Sequence, residues 1–420
     1  MRFLLTFTLI IGLHCTQAQT SVQTKPQQLT VAKPESVGMS SERFKTIEQL
    51  LQSEVDQKHL PGGMLIVARK GKIVYHNAVG YHDLEAKKPL QKDQIFRIMS
   101  MSKALTTTAV MMLYEEGKID LDDPASKYIP EFANTKVLVY FNEKDSTYSA
   151  VPAKKQVTIR HLLSHTAGIP YSHPLYYKAG IPDFFSTKPI TIGQTMPKLA
   201  ALPLMHEPGE KFTYGLNTDM LGYLVERVSG MRFGDFLQER IFDPLGMNDT
   251  GFYVKKGNES RLMLQYTIDS AGLRPHPNRE EEIYPVSGAR TYESGGAGLT
   301  STLLDYAKFL QMLLNGGAYN NHQILSRKTV ELMCRNQIGD LDMWGSGNKF
   351  SFGFEIITEK GAQKDASTPG TLRWGGRNGS DYIFDPKEEL LVVWTMQVVP
   401  TPYWSLNEKI RRMVYQCLVD

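Results

Sequence analysis

The sequence predicts an α/β fold: an antiparallel sheet flanked by helices, built from both ends of the chain and interrupted by a mostly helical insertion. Three observations carry that prediction. Near the front, an amphipathic helical pattern runs into two β-rich stretches around a short glycine-containing link. Near the end, two β-rich stretches around a charged turn lead into another amphipathic helix. Between them, from about Asp120 to Val286, helical patterns and Pro/Gly-rich loops dominate. The expected division is a discontinuous α/β sandwich domain over 34–119 and 287–420, with the mostly helical domain at 120–286.

In chain order, Arg2 precedes the apolar run Phe3–Leu13, and Thr16-Gln17-Ala18 offers small residues where a signal peptidase cuts. Residues 1–18 thus read as a secretory signal peptide, too short for a comfortable membrane span, and the expected location is secreted, in the periplasm. Residues 19–33 form a polar lead-in. Ser40 or Ser41 is placed to cap a helix whose inward face is Phe44, Ile47, Leu51 and Val55, with Pro61-Gly62-Gly63 as its stop. Met64–Ala68 and Ile73–Val79, separated by Arg69-Lys70-Gly71-Lys72, predict a hairpin. Leu105, Ala109, Met112 and Leu113 then recur at helical spacing, and Gly117 is the expected C-cap.

Within the insertion, helices are expected at Thr158–Ser164, Thr218–Val228 and Phe233–Ile241, and Tyr140–Gln156 reads as a polar surface excursion. Ser301 or Thr302 caps a helix from Leu303 to Leu314, stopped by Asn315-Gly316-Gly317. Tyr382–Phe384 and Leu390–Met396 flank Asp385–Glu389 as a second hairpin, followed by the C-terminal helix.

Composition narrows the classes of function. With 420 residues and a net charge of +3, and with no long basic run, nucleic acid is not implied as a partner. No later stretch is long and apolar enough for a transmembrane segment. Beyond Cys15 in the signal, only Cys334 and Cys417 remain, too few for a disulfide scaffold; one bridge between them stays open, with Cys417 expected on the apolar face of the last helix.

Three stretches carry chemistry. Ser100-Met101-Ser102-Lys103 puts a hydroxyl and an amine one turn apart at a helix start, where free N–H groups favour a developing oxyanion. A serine needs a group to take its proton, and a desolvated Lys is one such group. Tyr214, in Pro208–Asn217, becomes a base candidate where its phenol meets a neighbouring ammonium. Trp374-Gly375-Gly376-Arg377 precedes the second hairpin; its glycines allow close approach of backbone to a ligand, so an edge N–H can donate to an oxyanion.

Ser100-Met101-Ser102-Lys103, Tyr214 and Trp374-Gly375-Gly376, in this order and spacing, resemble the serine β-lactamase-like superfamily, with its penicillin-binding-protein-like (β-lactamase/transpeptidase) fold. Within it the chain most resembles the carboxylesterases related to class C β-lactamases, the family VIII type. Leu60–Gly63, Leu121–Pro124, His161–Gly168, Asp243–Met247 and Gly295–Thr302 extend the resemblance over nearly the whole mature chain. The resemblance implies Ser100 as the acylated nucleophile, with Lys103 and Tyr214 sharing the base role. It implies an oxyanion hole from the backbone N–H groups of Ser100 and Arg377, and substrate contacts from Trp374, Gly375, Gly376 and Asn217. Trp374 stands where β-lactamases carry the Lys of Lys-Thr-Gly, and Leu216 where they carry the Asn of Tyr-x-Asn. A Trp cannot pair with a substrate carboxylate, and Leu cannot donate to a substrate amide; Asn217, one residue later, substitutes only if the loop shifts.

Other readings are weighed against these. His161 and His165 at i, i+4 could face one metal, but no Glu follows His161 and the phrase reads as structural. No metal or cofactor is expected. Gly295, Gly296 and Gly298 lack a following Gly-Lys-Ser/Thr and read as a tight turn beside the site. The absence of Gly-x-Ser-x-Gly removes an α/β-hydrolase elbow. The expected function is a secreted serine hydrolase of carboxylic esters, acting on a small-molecule or acylated-carbohydrate ester. The alternatives are a β-lactamase or D-amino-acid peptidase using the same residues, and a non-catalytic binding protein of the same fold.

Overall fold

The computed structural model describes residues 28–420 except 183, 278–279, 281–282, 365, 401 and 403. The signal peptide expected at 1–18, and residues 19–27 of the lead-in, lie outside the described residues.

Alternating side chains organise the molecule. Met64, Ile66 and Ala68 point to one side of their strand, and Leu65 and Val67 to the other. Leu391 and Val393 alternate in the same way with Leu390, Val392 and Trp394, as do Tyr382 and Phe384 with Ile383. Strands apolar on both faces must be covered on both faces, and the sheet is the middle layer of three. Among the described residues it has nine strands. Their spatial order is Thr30–Val31, Lys72–Asp83, Gly62–Arg69, Leu390–Thr395, Ser380–Asp385, Leu372–Gly376, Glu355–Ile356 and Lys349–Phe350, with Lys88–Pro89 beside Lys72–Asp83 off that path. Only the edge strand Thr30–Val31 runs parallel to its neighbour; the other pairs are antiparallel. The front and rear hairpins meet in the middle, Gly62–Arg69 against Leu390–Thr395, which joins the two ends of the chain.

Turn chemistry sets both hairpins. Lys70 and Gly71 have φ of 50° and 72°, two left-handed residues whose twist matches the flanking strands. In the rear turn, the Asp385 carboxylate accepts the backbone N–H groups of Lys387 and Glu388 at 2.9 and 3.1 Å.

On one face lie Ser41–Asp56 and Trp404–Tyr415, contributing Phe44, Ile47, Leu51, Leu406, Ile410 and Val414 to the core. The Ser40 side chain is the N-cap of the first of these. That helix ends at Asp56, before the expected stop, because Lys58 turns left-handed at φ 57°; Gly62 and Gly63 already belong to the strand. Cys417 lies just past the last helix, buried with its thiol on the Met413 carbonyl. Both it and Cys334 are free thiols, so the bridge left open by the sequence is not formed.

On the other face, helix Ser102–Glu115 is buried on every side from Ser102 to Leu113, where the sequence pattern predicted a single apolar stripe. A helix sandwiched between the sheet and further helices needs no polar face. Two of its buried hydroxyls donate to carbonyls, Thr108 to Ala104 and Thr106 to Gly295 at 2.7 Å. Gly117, left-handed at φ 67°, lies just past its C-terminal end.

The 120–286 segment contributes helices at Ile159–Leu163, Ile192–Ala200, Asn217–Ser229 and Phe233–Leu237, which share one continuous core with this face of the sheet. It also holds two hairpins the pattern did not predict. Lys136–Phe141 pairs with Tyr148–Pro152 where the polar excursion was expected, and Tyr266–Asp269 pairs with Gly272–Pro275. Thr302 caps helix Leu303–Leu314 as expected. Among the described residues no helix is long and apolar enough to cross a membrane.

Candidate active site

Ser100 sits on a strand-to-helix turn. Strand Phe96–Arg97 pairs with Thr300–Ser301. Met99 then takes a left-handed φ of 47°, and a single 3-10 turn, Met99–Met101, leads into the helix that starts at Ser102. Non-glycine residues in that region carry strain, which concentrates where a side chain must be aimed. Ser100 is half-buried and Lys103, one turn on, is 1% exposed.

The Lys103 amine has three neighbours. Its Nζ lies 3.2 Å from Ser100 Oγ, 2.6 Å from Tyr171 Oη and 2.7 Å from the Gly296 carbonyl. The predicted Gly295–Gly298 turn thus abuts the site and supplies an acceptor. Three neighbours suit either charge state: an ammonium donates to all of them, while a neutral amine donates to Tyr171 and Gly296 and turns its lone pair to Ser100. Such a group can exchange a proton with the serine.

Two tyrosines cover the amine. Its Nζ lies 4.6 Å from the ring centre of Tyr214 and 5.1 Å from that of Tyr171, and the two rings meet edge-on at 5.3 Å. The hydroxyl on the amine belongs to Tyr171, where the sequence expected that of Tyr214. Tyr214 Oη accepts instead from Trp374 Nε1 at 3.1 Å. Burial pushes the Tyr171 phenol well above its ordinary range; Tyr214 and Asp219 push the same way, and a hydrogen bond with Ser100 pulls against them. Tyr171 is therefore a protonated hydroxyl at neutral pH.

Gly215 allows this arrangement. A Cβ there would sit 2.5 Å from Pro170 Cα, so the chain leading to Tyr171 can cross the residue after Tyr214 only because it is glycine. His165 backs the crossing. Burial, with the Lys103 charge second, holds its imidazole well below the ordinary histidine range, and the neutral Nδ1 accepts from Gly215 N and Asn217 Nδ2. Asn217 is fully buried and also donates to the Ile169 carbonyl at 3.0 Å, so it braces the loop and does not line the cavity. The expected substrate contact from Asn217 is absent because its amide nitrogen is committed to the Ile169 carbonyl and the His165 ring. His161 bonds Thr158 at its own helix start, away from His165's work. Among the described residues no cluster of three His, Cys, Asp or Glu could hold a metal ion.

Behind Gly296, Asp219 is buried. Burial raises its carboxyl, while hydrogen bonds from Ser294 and Gly296 and the Lys103 charge lower it. The third stretch closes the site. At Gly376 a Cβ would lie 2.7 Å from the Ile98 carbonyl, so strand Leu372–Gly376 packs its backbone directly against the turn holding Ser100. The outer neighbour Glu355–Ile356 pairs only with Leu372 and Arg373, which leaves Trp374–Gly376 an open backbone edge. Ser100, Tyr214, Trp374, Gly375, Gly376 and Arg377 line one cavity of about 470 Å³, in the range that buries a small organic ligand.

A Beta-lactamase family model matches residues 47–412 of the chain. The chain belongs to the Beta-lactamase family. Protein Rv1367c of Mycobacterium tuberculosis is 31% identical over 355 residues, covering 81% of this chain and 86% of that protein. Esterase EstB of Burkholderia gladioli is 28% identical over 362 residues, with the same shares, 81% and 86%. The structure of EstCE1, described as a hydrolase with promiscuous acyltransferase activity, superposes with a TM-score of 0.75 at 28% identity, covering 90% of this chain and 98% of that one. The expected family and fold hold, and the chain is a serine hydrolase.

The sequence reading did not single out Tyr171 or Asp219. Tyr171 lies three residues past Gly168, at the end of the run that starts at His165, and no spacing rule ties it to Lys103.

Proposed function

We propose that this hydrolase cleaves carboxylic esters through an acyl-enzyme on Ser100. The observation that carries the reading is the buried Lys103 amine 3.2 Å from Ser100 Oγ at the wall of an open cavity. In that reading Ser100 Oγ attacks the ester carbonyl as its proton passes to the neutral Lys103 amine. The tetrahedral oxyanion is met by the backbone N–H groups of Ser100 and Arg377. On collapse the C–O bond to the alcohol breaks and Lys103 returns the proton to the leaving oxygen. Water then attacks the acyl-serine, again giving its proton to Lys103, and Ser100 recovers one as the acid departs. Tyr171 and the Gly296 carbonyl hold the amine through both cycles; Tyr214 shields it and, through Trp374, fixes the wall of the cavity.

Two features favour an ester over a β-lactam or a peptide. Trp374 offers no positive charge to a substrate carboxylate, and its N–H is engaged by Tyr214. Neither Leu216 nor the buried Asn217 offers a side-chain donor to a substrate amide. We also read residues 1–18 as a cleaved export signal, which N-terminal sequencing of the protein made by cells would test.

The deciding experiment is hydrolysis of p-nitrophenyl acetate and butyrate beside nitrocefin, for the wild type and Ser100→Ala. Ester turnover lost in Ser100→Ala, with little action on nitrocefin, is expected. Fast nitrocefin turnover would make the enzyme a β-lactamase, and ester turnover that survives in Ser100→Ala would remove Ser100 from the mechanism. No turnover of either, with no labelling of Ser100 by a fluorophosphonate, would leave a binding protein.

A further inference from the structure

The cavity does not end at the catalytic side of the sheet. Cross-strand partners point the same way, so Glu355, Arg373 and Asp381 face the side that carries the C-terminal helix, opposite to Trp374. They line the same cavity as Ser100, as do Arg411, Glu408 and Trp404 of that helix. The cavity thus borders both faces of the sheet at the open Trp374–Gly376 edge, and its part on the far face forms a second lobe.

The charged side chains that line the cavity balance, Glu355, Asp381 and Glu408 against Arg373, Arg377 and Arg411. Arg373 holds Glu355 in a fork, Nε to Oε2 at 2.8 Å and Nη2 to Oε1 at 3.2 Å, and Arg411 pairs with Asp381. Both pairs are largely buried, with side-chain exposures of 17% and 11%, and 9% and 9%. Buried ion pairs seldom stabilise a fold better than apolar residues of the same size. On a cavity wall, however, they present fixed donors beside fixed acceptors. An anionic ligand would meet Glu355, Asp381 and Glu408, and a cationic one would meet the arginines. A neutral ligand rich in hydroxyls, each able to donate and accept, suits the wall without a charge conflict. Two indoles stand at this cavity with unusual exposure: Trp404, at 50%, on the helix beside these ion pairs, and Trp344, at 61%, on the catalytic side against Tyr214 and Trp374. Flat apolar faces beside a donor–acceptor wall match a pyranose ring, which has an apolar C–H face and a belt of hydroxyls.

We propose that this lobe is a subsite for the alcohol part of the ester, and that this alcohol is a neutral polyhydroxylated ring, a glycoside. The inference rests on the esterase reading of Ser100. The preferred substrates are then O-acylated sugars, the released product is the free sugar, and the reaction that supplies the substrate is sugar O-acylation.

Three acetates separate the contributions: methyl 6-O-acetyl-glucopyranoside, cyclohexylmethyl acetate, which keeps the ring and loses the hydroxyls, and ethyl acetate, which loses both. Acetate release is followed by pH-stat. The glucoside is expected to exceed cyclohexylmethyl acetate in kcat/KM by at least about tenfold, mostly through KM. Glu408→Ala, at an exposed position of the helix, should bring that ratio towards one. Trp404→Ala should raise KM for both ring esters relative to ethyl acetate. A wild-type ratio of one or less, or a ratio that Glu408→Ala leaves intact, overturns the glycoside subsite while the esterase stands. Loss of Ser100-dependent release from all three acetates, with p-nitrophenyl acetate also untouched, overturns both readings.

Discussion

Replacing Tyr171 by Phe removes one oxygen atom, which meets the buried Lys103 amine and also bonds Ser100 and Tyr214. The Tyr171 hydroxyl lies 2.6 Å from Lys103 Nζ, and Tyr171 does not line the cavity, so the change should act on the chemical step with little effect on substrate binding. In the proposed cycle this contact is that of a neutral amine before proton transfer and that of an ammonium afterwards. Charge-assisted hydrogen bonds are about twice as strong as neutral ones, and leaving a buried charged donor short of an acceptor costs about 2 kcal/mol. The Gly296 carbonyl remains, at 2.7 Å, so the loss is partial. About 2 kcal/mol corresponds to about thirtyfold in kcat. The assay is steady-state hydrolysis of p-nitrophenyl butyrate by wild type, Tyr171→Phe and Tyr214→Phe, with far-UV circular dichroism to verify the fold. A kcat for Tyr171→Phe within about threefold of wild type would refute the reasoning. So would a Tyr214→Phe enzyme that loses its activity while Tyr171→Phe keeps it, because Tyr214 would then be acting on Ser100 or Lys103 directly.

The remaining predictions concern the scaffold around the site. Gly376→Ala forces a methyl against the Ile98 carbonyl, 2.7 Å away, and should lower both kcat and stability, the latter by about 1–3 kcal/mol in a urea titration; wild-type values would contradict the close packing of that strand on the Ser100 turn. His165 is kept neutral by burial, with its folded pKa below the ordinary value, so its contribution to stability is complete above about pH 6.5 and is lost as pH falls below that. The limiting slope of that loss is about 1.4 kcal/mol per pH unit. His165→Gln, which keeps an acceptor for Gly215, should be less stable at pH 7 but flatter in this window; parallel urea-derived curves for the two proteins would sink the account.

How much of this was legible in the chain depends on whether a residue's neighbours in sequence are also its neighbours in space. The hairpins were legible because strand alternation and the Lys70-Gly71 and Asp385–Glu389 turns are local. Ser100 and Lys103 were legible because i, i+3 on a helix is a spatial statement as well as a sequence one. The hairpin Lys136–Phe141 with Tyr148–Pro152 was not, because Val139, Tyr140, Tyr148 and Val151 are exposed and leave no apolar-in, polar-out alternation to read. Tyr171 escaped for a related reason. Its partner lies 68 residues away, and the device that brings them together is the crossing at Gly215, whose requirement for glycine is visible only once the two backbones are in place. Asn217 misled in the opposite direction: an amide one residue from a familiar position invites a substrate role, yet the unpaired loop carbonyl of Ile169 and the His165 ring nitrogen claim it first. A polar side chain next to an active-site residue is therefore evidence of function only after the buried backbone around it has been supplied with partners. In this site the glycine that lets two loops cross determines which tyrosine meets the amine.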